Sequence, residues 1–247
     1  MVIRVRLAAP IAVAMLASCR TLAPPAAIDP ALSGRVPPAT VALAGVDLDR
    51  LRASALYAKL PAGALGFLAP FGRARYVLIA STGVELLTIA RGAVAGATQV
   101  APGVALSGAP GLMAAGMGAH PPASILAAAE PVAGAHPIWM AVRGGILLPL
   151  EGNLANVNNL LRGTEYVTLA GQPGDPVELE LVAQCATQDA ALRFEQSWRA
   201  VVSLGIAANA RQPATASVLG SMRIVREERV VRVSLSAPAD ALARLVF

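Results

Sequence analysis

Lysine is almost missing from this chain: Lys59 is the only one in 247 residues. Charged residues of both signs reach only 14% and aromatics 4%. The arginines that carry the positive charge are scattered. No basic cluster interleaved with aromatics therefore marks a nucleic-acid surface, and no nucleic-acid partner is expected. Cysteine is as scarce, with only Cys19 and Cys185 present. A disulfide framework is excluded on that count, and stability has to come from a packed core. The two histidines, His120 and His136, each precede a proline. A metal centre needs several convergent ligands, so neither a metal site nor a cofactor is expected. After Cys19 no run of 18 or more apolar residues escapes glycine, proline or charge, which excludes a second membrane span.

What is abundant is alanine, inside a hydrophobic fraction of 55%. The chain opens with Arg4 and Arg6 and an apolar stretch from Leu7 to Ala17, interrupted by Pro10. That stretch is shorter than the roughly 20 residues a permanent span requires, and it reads as a secretory signal. It ends in Leu16-Ala17-Ser18-Cys19. This tetrad resembles the lipobox of bacterial lipoproteins. The resemblance implies cleavage between Ser18 and Cys19, and a diacylglycerol thioether on the Cys19 sulfur. A membrane partner reached through that anchor follows, since two or three acyl chains hold a protein far more firmly than one. Arg20 stands where an aspartate would have resembled an inner-membrane retention signal, which favours the outer membrane.

Residues 19–39 carry five prolines among small residues and read as a tether. A first unit is expected over 40–120: a strand from Thr40, a helix capped by Asp47 and running to Lys59, then a hairpin turning at Ser81-Thr82-Gly83. Val100 to Leu106 reads as one more strand, and Pro110 to Met117 as a short helix. Residues 121–137 form a connector. Over 138–247 the order strand, helix, hairpin restarts, which suggests a divergent internal repeat. Thr187 can cap a long helix with a stripe of Ala191, Phe194, Trp198, Val201 and Gly205. A last hairpin turns near Glu227–Arg229, and Ala239 to Leu245 closes the chain as a helix. Alternation such as Met222, Ile224, Val231, Val233 and Leu235 against Arg223, Arg232 and Ser234 predicts an α+β fold. It has two tandem related units of antiparallel sheet, helices on one face and charge on the other.

Catalytic patterns are weak. "GVALSGAPG" (103–111) lacks the Gly-Lys-Ser/Thr ending of a phosphate loop, and Ser81 and Ser107 sit in no nucleophile elbow. Asp47 and Asp49 read as helix-capping residues, and Glu178 and Glu180 as cross-strand ion-pair partners. Asn153, Asn156, Asn158 and Asn159 are the most unusual polar cluster. Asn153, Asn156 and Asn159 are the candidate ligand-binding residues, against a plainer role in capping and solvating a helix. Cys185, with no histidine nearby in sequence, reads as a buried and inert thiol. The segments "VDLDRLRASALYAKLP", "VAPGVALSG" and "PVELELVAQCATQDAALRFEQSWRAVVSLG" resemble parts of uncharacterised bacterial envelope proteins, which implies an α+β body. The expectation is a lipid-anchored envelope protein, not an enzyme, that binds or scaffolds an envelope protein. A carrier of an apolar ligand and a cell-wall hydrolase are the competing readings.

Overall fold

The computed structural model describes residues 28–146 and 157–246. Its centre is a ten-stranded, wholly antiparallel sheet. The strands are β1 (Ala42–Asp47), β2 (Arg73–Ser81), β3 (Leu86–Ala93), β4 (Thr98–Ala101) and β5 (Val104–Gly108), then β6 (Ile138–Arg143), β7 (Thr164–Gln172), β8 (Val177–Cys185), β9 (Arg223–Glu227) and β10 (Val230–Ala237). They lie in the order β4-β5-β3-β2-β1-β6-β7-β8-β10-β9. The order is palindromic about the β1–β6 pair. Each half contributes its first, second, third, fifth and fourth strand outward from that seam. The repeat of strand, helix and hairpin is thus present, and the two half-sheets are fused edge to edge into one. Val100 to Leu106 is not one strand: Gly103, at φ +70°, turns it into the β4–β5 hairpin.

The helices are α1 (Pro30–Ser33), α2 (Leu48–Arg52), α3 (Ala62–Leu68), α4 (Pro110–Met117) and α5 (Leu126–Ala133), followed by α6 (Val157–Leu161), α7 (Gln188–Ala208), α8 (Pro213–Gly220) and α9 (Ala239–Val246). In the second half α6, α7, α8 and α9 cover one face, and α5 reaches over β6 and β7 on the other. Val167, Ala183, Val231 and Val233 pack under α6 and α7, and Val177, Leu235 and Ala237 under α8 and α9. Its opposite face carries Glu178, Glu180, Arg232 and Ser236, and Arg232 pairs with Glu180 at 3.6 Å. The first half is covered on both faces. Leu43, Leu78, Leu87, Ile89 and Leu106 pack beneath α1, α4 and α5, while Val77 and Ala90, at the alternate positions, pack beneath α2.

The tether also differs from expectation. Pro30, read as a tether residue, instead starts α1, whose Asp29 cap accepts from Ala31 N at 2.9 Å. Ile28, Leu32 and Val36 are all buried in the core. The packed body therefore includes Ile28, Leu32 and Val36 and does not start at residue 40. Arg91 ties this strap down through Asp29, donating from Nε at 2.9 Å. Burial pushes the Asp29 carboxyl up, but donation from Arg91 and from Ala31 N outweighs it and holds the group below the ordinary aspartate range.

Thr187 caps α7 as expected, accepting from Ala190 N at 3.1 Å. The stripe on α7 fades along its length, however. Ala191 and Phe194 are buried, Trp198 is half-buried with its ring tilted against Phe194, and Val201 is 51% exposed. The helix outruns the sheet it crosses, because β9 is the edge strand. Arg199, off that stripe, donates to Glu195 at 2.9 Å and to the carbonyl of Ile224 on β9 at 3.1 Å. Donation from Arg199 and from Arg226 holds the Glu195 carboxyl below its usual value. A graded mutational series follows. Phe194→Ala should cost about 3–5 kcal/mol and Trp198→Ala about 2 kcal/mol. Val201→Ala should stay within about 0.5 kcal/mol. Urea midpoints of the three variants check the gradient, and equal shifts would refute it.

A candidate apolar ligand groove

The groove is built by the chain between β1 and β2. Asp47 caps α2 as the sequence suggests, accepting from Arg50 N at 2.9 Å. The helix does not reach Lys59. It closes after Arg52, where Ser54 Oγ donates to the Leu51 carbonyl at 2.6 Å and then receives Tyr57 N. A 3-10 turn over Tyr57–Lys59 follows, and Pro61 opens a further helix, α3, instead of ending one. Arg52 fastens the far end of this excursion, donating to the Phe71 carbonyl at 2.7 Å and to that of Ala74 at 2.8 Å. Two helices and a turn are thereby held on this face of the sheet as a bracket.

Between the bracket and α9 lies a groove of about 450 Å³. Leu51, Leu56, Leu60, Ala64, Phe67 and Leu68 form one wall, Ile138 of β6 the floor, and Leu242 and Ala243 the other wall. Every lining side chain is apolar. Ligand pockets commonly span about 300–1,000 Å³ and are mostly apolar, so the groove has the size and chemistry of a site for a small hydrophobic molecule. Nothing in the lining supplies a nucleophile, a general base or an oxyanion donor.

The residues singled out in the sequence lie elsewhere. Ser18, Cys19, Asn153 and Asn156 fall outside the described residues, as does the side chain of Asn159, whose backbone belongs to α6. His120 and His136 line two different clefts, His120 beside Glu130 and His136 near Glu178 and Glu180. Among the described residues no group of three or more His, Cys, Asp or Glu side chains could hold a metal ion. Cys185 is fully buried, and that burial, with Glu165 nearby, pushes its thiol above the usual range. No helix among the described residues is long and apolar enough to cross a membrane.

Sequence reasoning missed α3. The signal was "LPAGALGFLAPFG", residues 60–72, which holds no charge and lies between Lys59 and Arg73. Its glycines and prolines mask any helical period.

No family model matches this chain, and no curated protein matches it. Two solved structures do. Crystal form III of TP0453 aligns with a TM-score of 0.49 at 9% identity, covering 89% of this chain and 98% of that one. Crystal form I of TP0453 aligns with a TM-score of 0.48 at 10% identity, covering 89% and 97%.

Proposed function

We propose that this protein is a lipid-anchored component of the cell envelope that binds a hydrophobic ligand, such as an acyl chain, and has no catalytic step. The observation that carries the binding half is the uniformly apolar groove between α2, α3 and α9. The Leu16-Ala17-Ser18-Cys19 tetrad carries the anchoring half. An acyl chain gains about 0.8 kcal/mol for each methylene it buries, so a groove with no polar lining discriminates by length and shape. It has no group to recognise a headgroup. A headgroup or carboxylate would stay at the mouth, in water.

One experiment tests both halves. Protein extracted from envelopes in mild detergent is weighed intact, under native and then denaturing conditions. The expected denatured mass begins at Cys19 and carries a diacylglycerol modification, and the native mass adds one hydrophobic small molecule. Ala64→Phe, which fills the groove, and Leu60→Asp, which charges its rim, should each lose that added mass and keep the covalent one. An intact leader would overturn the anchor. Retention of the added mass by both variants would overturn the groove.

A further inference from the structure

The turn between α6 and β7 and the start of α7 enclose a smaller cleft, of about 280 Å³. Gly163 lets the two elements close on each other: a Cβ there would come within 3.1 Å of the Ala190 Cβ in the first turn of α7. The turn is fixed on both sides. The Ala186 N–H donates to the Gly163 carbonyl at 3.1 Å, and Thr164 Oγ1 donates to the Leu161 carbonyl at 2.8 Å. Arg193, Phe194 and Ser197, at three- and four-residue spacing, share one side of α7 and line the cleft. Leu160 and Phe194 give it an apolar wall, and Phe194 is 5% exposed. Arg162 reaches it from the turn and Arg193 from the helix, and both are exposed.

Two guanidinium groups in one concavity repel each other unless an anion lies between them. Among the described residues no acid lines the cleft, and neither arginine side chain has an ion-pair or hydrogen-bond partner. The acids around it are engaged elsewhere. Glu165 pairs with Arg229 at 3.6 Å, and Glu195 with Arg199 and Arg226 at 2.9 Å each. Asp189 precedes Arg193 by one helical turn but forms no ion pair with it and does not line the cleft. Ala190 sits in the first turn of a 21-residue helix, whose positive end adds to the field there.

We infer that this cleft binds a phosphate monoester group between Arg162 and Arg193, with the Ser197 hydroxyl as a further donor. Two guanidinium charges match a phosphate group that carries close to two negative charges at neutral pH, whereas a carboxylate brings only one. The arginine fork is also suited to phosphate oxygens, which it meets in pairs. A cleft of this size stands at the lower end of the range of about 300–1,000 Å³ for ligand pockets. It has room for a phosphate on a short organic body, whose apolar part meets Leu160 and Phe194. The site shares no lining residue with the apolar groove and goes beyond the reading built on it.

The test titrates the full-length mature protein, in non-ionic detergent and phosphate-free buffer of low salt, by isothermal calorimetry. The probes are inorganic phosphate, phenyl phosphate and benzoate. One phosphate or phenyl phosphate should bind per chain, at least tenfold more tightly than benzoate. Tighter binding of phenyl phosphate supports an organic monoester as the ligand, and equal binding supports the free ion in the same site. Arg162→Gln and Arg193→Gln should each weaken binding tenfold or more. Arg193→Lys, which keeps the charge and loses the fork, should fall between. Arg211→Gln, at an exposed arginine beyond the far end of α7, should change nothing. All four variants should keep the parent urea midpoint, since the side chains are exposed. Heat that never saturates, benzoate binding as tight as phosphate, or an equal loss in Arg211→Gln would overturn the site. Glu151 lies outside the described residues. Binding that appears only in Glu151→Gln would overturn the site as well, because the chain's own carboxylate would then fill the cleft.

Discussion

Trp139→Ala should lower the free energy of unfolding by about 3–5 kcal/mol, the range for emptying a large buried aromatic site. The loss should appear in one cooperative transition and not in half of the molecule. Trp139 lies on β6, the first strand of the second half, yet its side chain is 1% exposed in the core of the first half with Leu43, Leu78 and Ile89. It crosses the seam by lying over Gly45, its register partner on β1. Any Cβ at Gly45 would run into the indole. The indole N–H donates to Tyr76 Oη on β2 at 2.7 Å, so the buried polar atom is satisfied. Burial raises the Tyr76 phenol above its usual value, the Trp139 bond lowers it in part, and the Asp47 charge adds to the rise. Gly45→Val should destabilise comparably by displacing the indole, and Gly45→Ala should cost less. Urea unfolding followed by tryptophan fluorescence and by far-ultraviolet circular dichroism checks this. Two separate transitions would mean that the halves fold independently and that the seam is a weak contact.

Much of the fold is legible in local sequence because strands with one buried face alternate visibly. Val231, Val233 and Leu235 against Arg232, Ser234 and Ser236 give both the strand and its face, and β10 places them so. Pro110–Met117 is legible from its opening proline, and α7 from its Thr187 cap. What is hidden depends on partners distant in sequence. The β1–β6 pairing joins residues 92 to 100 positions apart, and a pattern read strand by strand gives two sheets where pairing makes one. Trp139 looks like an ordinary strand residue until Gly45 is placed opposite. The groove was hidden for a different reason. Its lining comes from α2, the turn after it, α3, β6 and α9, and its most telling helix consists of alanine, glycine, leucine and one phenylalanine, with no polar face to give it a period. Val201 keeps the helical spacing of Phe194 and Trp198. It is exposed only because the sheet ends beneath it.

The strap before β1 should matter as much as the seam. A fragment of residues 28–247 should unfold cooperatively in urea, whereas residues 40–247 should lose most of that stability. Ile28, Leu32 and Val36 are at most 3% exposed. Burying each such side chain contributes about 1.5–3 kcal/mol, roughly 5–9 kcal/mol together against the 5–15 kcal/mol that holds a typical domain. Removing them also uncovers Leu87 and Leu106, and Arg35 would no longer donate to the Gly116 and Met117 carbonyls, each at 3.2 Å, that end α4. Leu32→Ala in the longer fragment should cost about 2–5 kcal/mol, reproducing part of the loss without altering chain length. The difference between the two fragments should narrow in acid. The Asp29 carboxyl is held below its ordinary value, so its ion pair with Arg91 contributes above the unfolded aspartate pKa and is lost as pH falls through the folded one. Asp29 and Arg91 are each about a third exposed, at 37% and 33%, which keeps this pH-dependent share small beside the apolar one. Equal urea midpoints for the two fragments at neutral pH would show that the strap lies on the body without stabilising it, and the body would then begin at β1.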